Sequence, residues 1–251
     1  VMLIAALFIG LEVKGSRRWI SFLGFSIQPS EFLKPAFVVL VAFLLSESGR
    51  RREVPGVLFA ILLYVICAAL LIAQPDFGQT MLLGAVWAGL FFLNGLPWFL
   101  IAGLGVIGVM GLAAAYVFLP HVTARVDRFM DPSSGDTYQI DQAIEAISRG
   151  GIAGAGPGEG EVKNFLPDAH ADFIFAVAAE EFGLMASLAI IGLFAILVAR
   201  AWTQAMRLQD NFAQLAVAGL ALQFALQALV SYRTQPLHLL LATAAFLQPP
   251  I

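Results

Sequence analysis

The run FLPDAHADFIFAVAAEEFG, residues 165–183, packs a proline, a histidine and four carboxylates into a segment that otherwise reads as membrane helix. Charge is expensive in hydrocarbon, so an acid placed there is a functional candidate by default. Asp172 is the most informative of the four. It stands where a polar loop re-enters an apolar stretch, just after Pro167 and His170. It fits an acid that binds substrate or takes part in catalysis. It also fits a first-turn acid favoured by the helix dipole, although Asp168 could fill that role and two acids exceed what a cap needs. Glu180 and Glu181 follow eight and nine residues later. On a straight helix Glu180 lies about 12 Å deeper than Asp172 and close to the same face. A buried carboxylate must pair or protonate. The two glutamates therefore read either as hydrogen-bonding partners of another helix or as a proton or ligand site in a cavity.

Other groups with chemical potential are scattered earlier in the chain. Asp76 sits in QPDFG, at the end of an apolar stretch, and suits either a substrate contact or a helix-ending turn. GSRRWI sets Arg17 and Arg18 beside Trp19. Adjacent guanidinium groups at a membrane surface suit a phosphate, whose oxygens they grip in pairs. The bland reading is a pair of snorkelling anchors. Gly154, Gly156 and Gly158 resemble a nucleotide loop only superficially, because no strand precedes them, Pro157 interrupts them and no Gly-Lys-Ser/Thr follows. A shaped backbone loop near a ligand fits them better. His121, His170 and His238 lack ligand spacing, and a single Cys67 excludes a disulfide framework, so no metal cage is expected. Cys67 reads as a small core residue.

The elements that position these groups follow from composition. The 251 residues are 60% hydrophobic and 12% charged, against about a quarter charged in soluble domains. The chain is expected to be an all-α, polytopic transmembrane bundle, because its apolar runs are continuous rather than alternating. Spans are expected at 32–46, 54–73, 79–94, 97–119, 172–199 and 211–230, with a partial helix at 1–11 and a tail, 236–247, too short to cross. Gly95-Leu96-Pro97 makes a tight turn between two of them. Segment 12–34 reads as a polar, basic loop. A long loop, about 120–171, holds most of the polar content. Within it YQIDQAIEAISR places Ile140, Ala143, Ile144 and Ile147 on one face, an interfacial amphipathic helix. The glycine-rich run that follows is allowed at membrane depth only where it packs on protein or lines a wet cavity.

Charge alone leaves the orientation open. Alternating crossings put Lys14, Arg17, Arg18, Lys34, Arg125, Arg128, Arg149 and Lys163 on one side, and Arg50, Arg51, Arg52, Arg200 and Arg207 on the other. A simple count puts the long loop in the cytoplasm. Long loops obey the rule poorly, and without segment 12–34 and the long loop the count puts Arg50–Arg52, Arg200 and Arg207 inside.

Three stretches, GSRRWISFLGFSIQPSEFLKP, QPDFGQTMLL and DTYQIDQAIEAISRGGIAGAGPGEGEVKNFLPDAHADFIFAVAAEEFG, resemble in order and spacing the SEDS family (shape, elongation, division and sporulation proteins), and its division branch most. The resemblance covers about residues 1–230. It implies a peptidoglycan glycosyltransferase of the bacterial plasma membrane, acting at the division septum. Such an enzyme polymerises lipid II, releases undecaprenyl pyrophosphate, and works with a class B penicillin-binding protein and other division proteins, with no nucleic-acid partner. The family's essential aspartate lies in the motif that reads HADF here, so the resemblance assigns the general base to Asp172. Arg17, Arg18 and Lys163 become candidates to stabilise the leaving pyrophosphate, and His170, Asp76, Glu180 and Glu181 to bind substrate. The resemblance names no certain cofactor, and a divalent cation could share the charge. The family's topology puts the long loop outside. Residues 1–251 read as a single integral membrane domain, and as a fragment: Val1 opens mid-helix and 231–251 departs from the family pattern. The competing readings are a lipid II flippase, which broken mid-membrane helices would favour, and a non-catalytic scaffold.

Overall fold

The computed structural model describes residues 3, 5, 6, 10–13, 16–22, 25–51, 53–74, 76–118, 122, 123, 127, 145, 146, 148–160 and 174–233; within these, the side chains of 11–18, 20–26, 174, 175 and 230–233 are not described. A short meander comes first: β1 (Leu11–Val13), β2 (Ser16–Phe22) and β3 (Phe25–Ile27), in the order β1-β2-β3. Among the described residues the long helices that follow are α1 (Pro29–Arg50), α2 (Gly56–Ala73), α3 (Phe77–Leu93), α4 (Trp98–Phe118), α5 (Ile174–Ala205) and α6 (Asn211–Arg233). Five of them contain stretches long and apolar enough to cross a membrane, and α3 is a shorter apolar helix. The helical membrane bundle expected from composition is therefore present.

Segment 12–34 departs from the expected loop. Both β-pairings are antiparallel, with Glu12 opposite Arg17 and Ser21 opposite Ser26. The three strands follow one another directly in the chain, as an antiparallel meander does. The segment's end belongs to α1, which starts at Pro29, a residue whose fixed φ suits the first helical turn.

The chain divides into two units, 1–124 with 198–226 and 125–197 with 227–251. In the first, α1, α2, α3 and α6 share a core. Phe37, Val38, Val41 and Leu45 of α1 meet Ala60, Cys67 and Leu71 of α2, Val86, Trp87, Leu90 and Phe91 of α3, and Leu215 of α6. Cys67 is buried there, as its apolar surroundings implied. Trp87 stacks on Tyr64 with ring centroids 5.0 Å apart. Its indole N–H donates to the Ala60 carbonyl at 3.1 Å, which satisfies the one polar atom of a buried ring. The α3–α4 turn is closed by Gly95 N–H and Leu96 N–H donating to the carbonyls of Phe92 and Phe91.

In the second unit, 145, 146 and 148–150 are helical, the described part of the expected amphipathic helix. Ala146 is buried, and Arg149 pairs with Glu145 at 2.9 Å on the exposed side. The expected single span at 172–199 is corrected. α5 is broken at Gly183, whose backbone (φ 73, ψ −170) is not helical. Nothing in the apolar pattern marks the break, because a glycine inside an apolar run fits an unbroken helix equally well.

Candidate functional site

The break in α5 is repaired by the glycine-rich loop. A helix interrupted in a membrane frees carbonyls on one side and N–H groups on the other, and each costs several kcal/mol if left unpaired in hydrocarbon. The carbonyls of Glu180 and Glu181 accept from Ala155 N–H (2.9 Å) and Gly156 N–H (3.1 Å). Beyond the break, Leu184 N–H donates to the Gly151 carbonyl (2.9 Å) and Met185 N–H, at a longer 3.5 Å, to that of Ile152. The Ser187 hydroxyl donates to the Gly183 carbonyl at 3.0 Å. Residues 151–156 thus clasp both halves of α5 through backbone alone.

Such an approach leaves no room for side chains. A Cβ on Gly150 would run into the Ala179 carbonyl, one on Gly154 into that of Glu181, and one on Gly183 into Gly154 N and the Ile152 carbonyl. Gly154 and Gly183 also hold positive φ, 86° and 73°, where other residues are strained. The glycine cluster is a shaped backbone loop, and what it is shaped against is a helix.

Glu180 lies at the centre of this arrangement, 1% exposed. A Cβ on Gly160 would come within 2.8 Å of its carboxyl carbon and oxygen, so the loop's second half also presses on this acid. Glu181, next to it, is half-buried. The two glutamates therefore meet the loop 150–160, not only a neighbouring helix.

A second polar cluster belongs to the first unit. Asp76 is buried and caps α3, accepting from Gln79 N–H at a long 3.5 Å, while the Thr80 hydroxyl donates to the Asp76 carbonyl at 2.8 Å. The Gln79 amide donates to Glu31 at 3.3 Å. Glu31 in turn pairs with Lys34 at 2.8 Å. The turn reading of Asp76 is thus realised, within a cluster of polar side chains from the N-terminal ends of α1 and α3.

Lys34, where the expected basic segment 12–34 and the expected span 32–46 overlap, stands in the second turn of α1, 2% exposed. Its signal was the spacing of Glu31 and Lys34, one helical turn apart in PSEFLK. Among the described residues Glu31 is its ion-pair partner. The pair is asymmetric, since Glu31 is 43% exposed. Glu31→Ala strands a buried cation and is expected to lower stability by about 3 kcal/mol. Lys34→Met keeps the stem's packing and leaves a carboxylate that water can reach, so its cost is smaller. Thermal unfolding of the two full-length variants in one detergent measures the difference, and equal losses would contradict the asymmetry.

The remaining candidates are placed less fully. Arg17 and Arg18 have their backbone in β2, beside the exposed Trp19, with side chains outside the described set. Lys163, His170 and Asp172 lie outside the described residues, as do Pro167 and Asp168. Asp76 belongs to the first unit and Glu180 and Glu181 to the second. Among the described residues no three His, Cys, Asp or Glu side chains converge as metal ligands would.

Comparison with known proteins places the fold. Residues 1–234 match the family described as cell cycle protein FtsW/RodA/SpoVE. A probable peptidoglycan glycosyltransferase FtsW of Caulobacter vibrioides is 48% identical over 230 residues, 92% of this chain and 59% of that protein. Another of the same name, from Trichlorobacter lovleyi, is 37% identical over 229 residues, 89% of this chain and 60% of that protein. The chain thus spans about three fifths of these relatives' length. A solved structure on the coordination of polymerization and crosslinking by a peptidoglycan synthase complex superposes with a TM-score of 0.73 at 26% identity, over 93% of this chain and 66% of that one. The rod shape determining protein RodA of Thermus thermophilus gives 0.60 at 24% identity, over 91% of this chain and 60% of that one. The broken helix, its glycine clasp and the polar cluster at the ends of α1 and α3 are thus features of a protein of the SEDS family, to which this chain belongs.

Proposed function

We propose that the full-length protein is a peptidoglycan glycosyltransferase that polymerises lipid II during cell division, in the cytoplasmic membrane at the septum. The observation that carries the reading is the 48% identity, over 92% of this chain, to a relative named for that activity. In the reaction an acceptor sugar hydroxyl attacks an anomeric carbon. The C–O bond to the lipid pyrophosphate breaks, and undecaprenyl pyrophosphate leaves with the bonding pair. The hydroxyl loses its proton as the new bond forms, so a carboxylate within hydrogen-bond reach acts as general base. Asp172 takes that role. Charge grows on the leaving pyrophosphate, where cations lower the barrier, and Arg17, Arg18 and Lys163 supply them. His170, Asp76, Glu180 and Glu181 contact substrate. The product strand passes to a class B penicillin-binding protein, a partnership supported by the likeness to a peptidoglycan synthase complex.

A second reading, a lipid II flippase, draws on the break at Gly183, because broken helices line the substrate paths of many transporters. The two separate in one experiment. Purified full-length protein in vesicles receives fluorescent lipid II in the outer leaflet alone. Glycan polymer supports the glycosyltransferase; transfer of the label between leaflets without polymer supports the flippase and overturns the first reading.

The arginine pair carries its own expectation. Arg17→Ala with Arg18→Ala weakens lipid II binding by about tenfold or more, and two lysines restore it only in part, because the bidentate fork is lost. Unchanged binding would reduce both residues to interfacial anchors.

A further inference from the structure

At the far end of α5 the chain forms a small basic cavity that the proposed chemistry does not use. Arg200, Thr203, Gln204 and Arg207, all exposed, line an open cavity of about 240 Å³. Arg200, Thr203 and Gln204 share one face of the last turns of α5, and the turn that follows the helix brings Arg207 to the same cavity. The cations are not consumed by the helix end. The Arg200 carbonyl accepts from the Thr203 hydroxyl at 3.0 Å. Those of Trp202, Gln204 and Ala205 accept from the N–H groups of Met206, Arg207 and Leu208 at 3.0–3.1 Å. Nor are the arginines consumed by carboxylates. Arg50 pairs with Asp210 at 2.8 Å and Arg51 with Glu47 at 3.5 Å, but among the described residues neither Arg200 nor Arg207 has a carboxylate in ion-pair range. With the Thr203 proton already donated, the donors left to face the cavity are two guanidinium groups and one carboxamide. That set matches a phosphodiester oxygen cluster.

Depth selects the source of the phosphate. Beyond the break at Gly183 the helix runs without interruption to Ala205, about 33 Å at 1.5 Å per residue. That matches a hydrocarbon core of about 30 Å, so its arginine-bearing end stands among headgroups. Exposed Met206 and Leu208 flank Arg207 and offer apolar surface to acyl chains. Arginines beside the end of a spanning helix are drawn to anionic headgroups.

We infer that the cavity lined by Arg200, Thr203, Gln204 and Arg207 is a binding site for the phosphodiester headgroup of an anionic phospholipid. It needs no assumption about the enzyme's reaction. The test reconstitutes the full-length protein in vesicles of equal parts phosphatidylcholine and phosphatidylglycerol, extracts it gently and counts retained lipids by native mass spectrometry. Wild-type protein retains phosphatidylglycerol over phosphatidylcholine. Arg200→Gln with Arg207→Gln lowers that preference by about tenfold. Arg200→Lys with Arg207→Lys, which keeps both charges and guards against a misfolded glutamine variant, lowers it less. No preference in the wild type, or an unchanged preference in either variant, overturns the site. Loss of the lipid to millimolar inorganic phosphate would mark a soluble-anion site and overturn the lipid assignment.

Discussion

On the proposed role of Asp172, Asp172→Asn in the full-length protein is expected to lower lipid II polymerisation by at least about a hundredfold, because a positioned general base contributes about 10²–10⁴ in rate. Asparagine keeps the volume and can accept a hydrogen bond, but it cannot take the acceptor's proton at neutral pH. Membrane insertion stays intact, since the sequence sets the residue where a polar loop meets an apolar stretch, not within one. The assay is polymer length from labelled lipid II, read beside the amount of folded protein recovered. Wild-type yield from the variant would remove Asp172 from the reaction and raise the flippase and scaffold readings together.

Gly183→Ala has the largest expected effect on the fold. Glycine there holds φ 73 and ψ −170, a region open to almost no other residue and worth about 1–3 kcal/mol of strain when forced. The added methyl would also press on Gly154 N and the Ile152 carbonyl. To relieve it the loop must back away, loosening the bonds from Leu184 and Met185. The combined loss is about 3 kcal/mol or more, a large share of a typical stability of 5–15 kcal/mol. Gly192→Ala, in the same helix with nothing near its would-be Cβ, is neutral or slightly stabilising, because alanine favours helix over glycine. Thermal unfolding and protease cleavage within 150–160 report both variants. Indistinguishable behaviour of the two would mean that the clasp contributes nothing.

Much of the bundle was legible because a spanning helix announces itself by length and apolarity. The expected 54–73, 79–94, 97–119 and 211–230 match α2, α3, α4 and α6 within about three residues, the usual latitude at helix ends. The expected 32–46 falls short of α1 at its start because Pro29 and Glu31 read as loop. Polarity disguised a helix start whose lysine is buried against its own glutamate. The meander was missed for a related reason. Ser16, Arg17 and Arg18 read as polar loop, and strands of three to seven residues carry too little alternation to stand out against that polarity.

In the candidate site, the need of Glu180 for a buried partner was legible from desolvation alone. That its surroundings would be a glycine loop was not, because backbone-to-backbone contact leaves no side-chain pattern to read. Nor was the break at Gly183. Its requirement is a φ/ψ value, and one glycine letter serves a smooth helix and a broken one alike. For Asp172 the sequence and the family resemblance supply the assignment, since it lies outside the described residues.

The clasp has a mechanical consequence. Pulled from its C-terminus by an atomic force probe, a spanning helix normally leaves the membrane turn by turn. At Gly183 extraction of the upper half of α5 would take Leu184 and Met185 from the carbonyls that hold them, in a medium that offers no substitute. The force trace should therefore show a discrete barrier near Gly183, part-way along α5, followed by release of the loop and the remaining half-helix in one step.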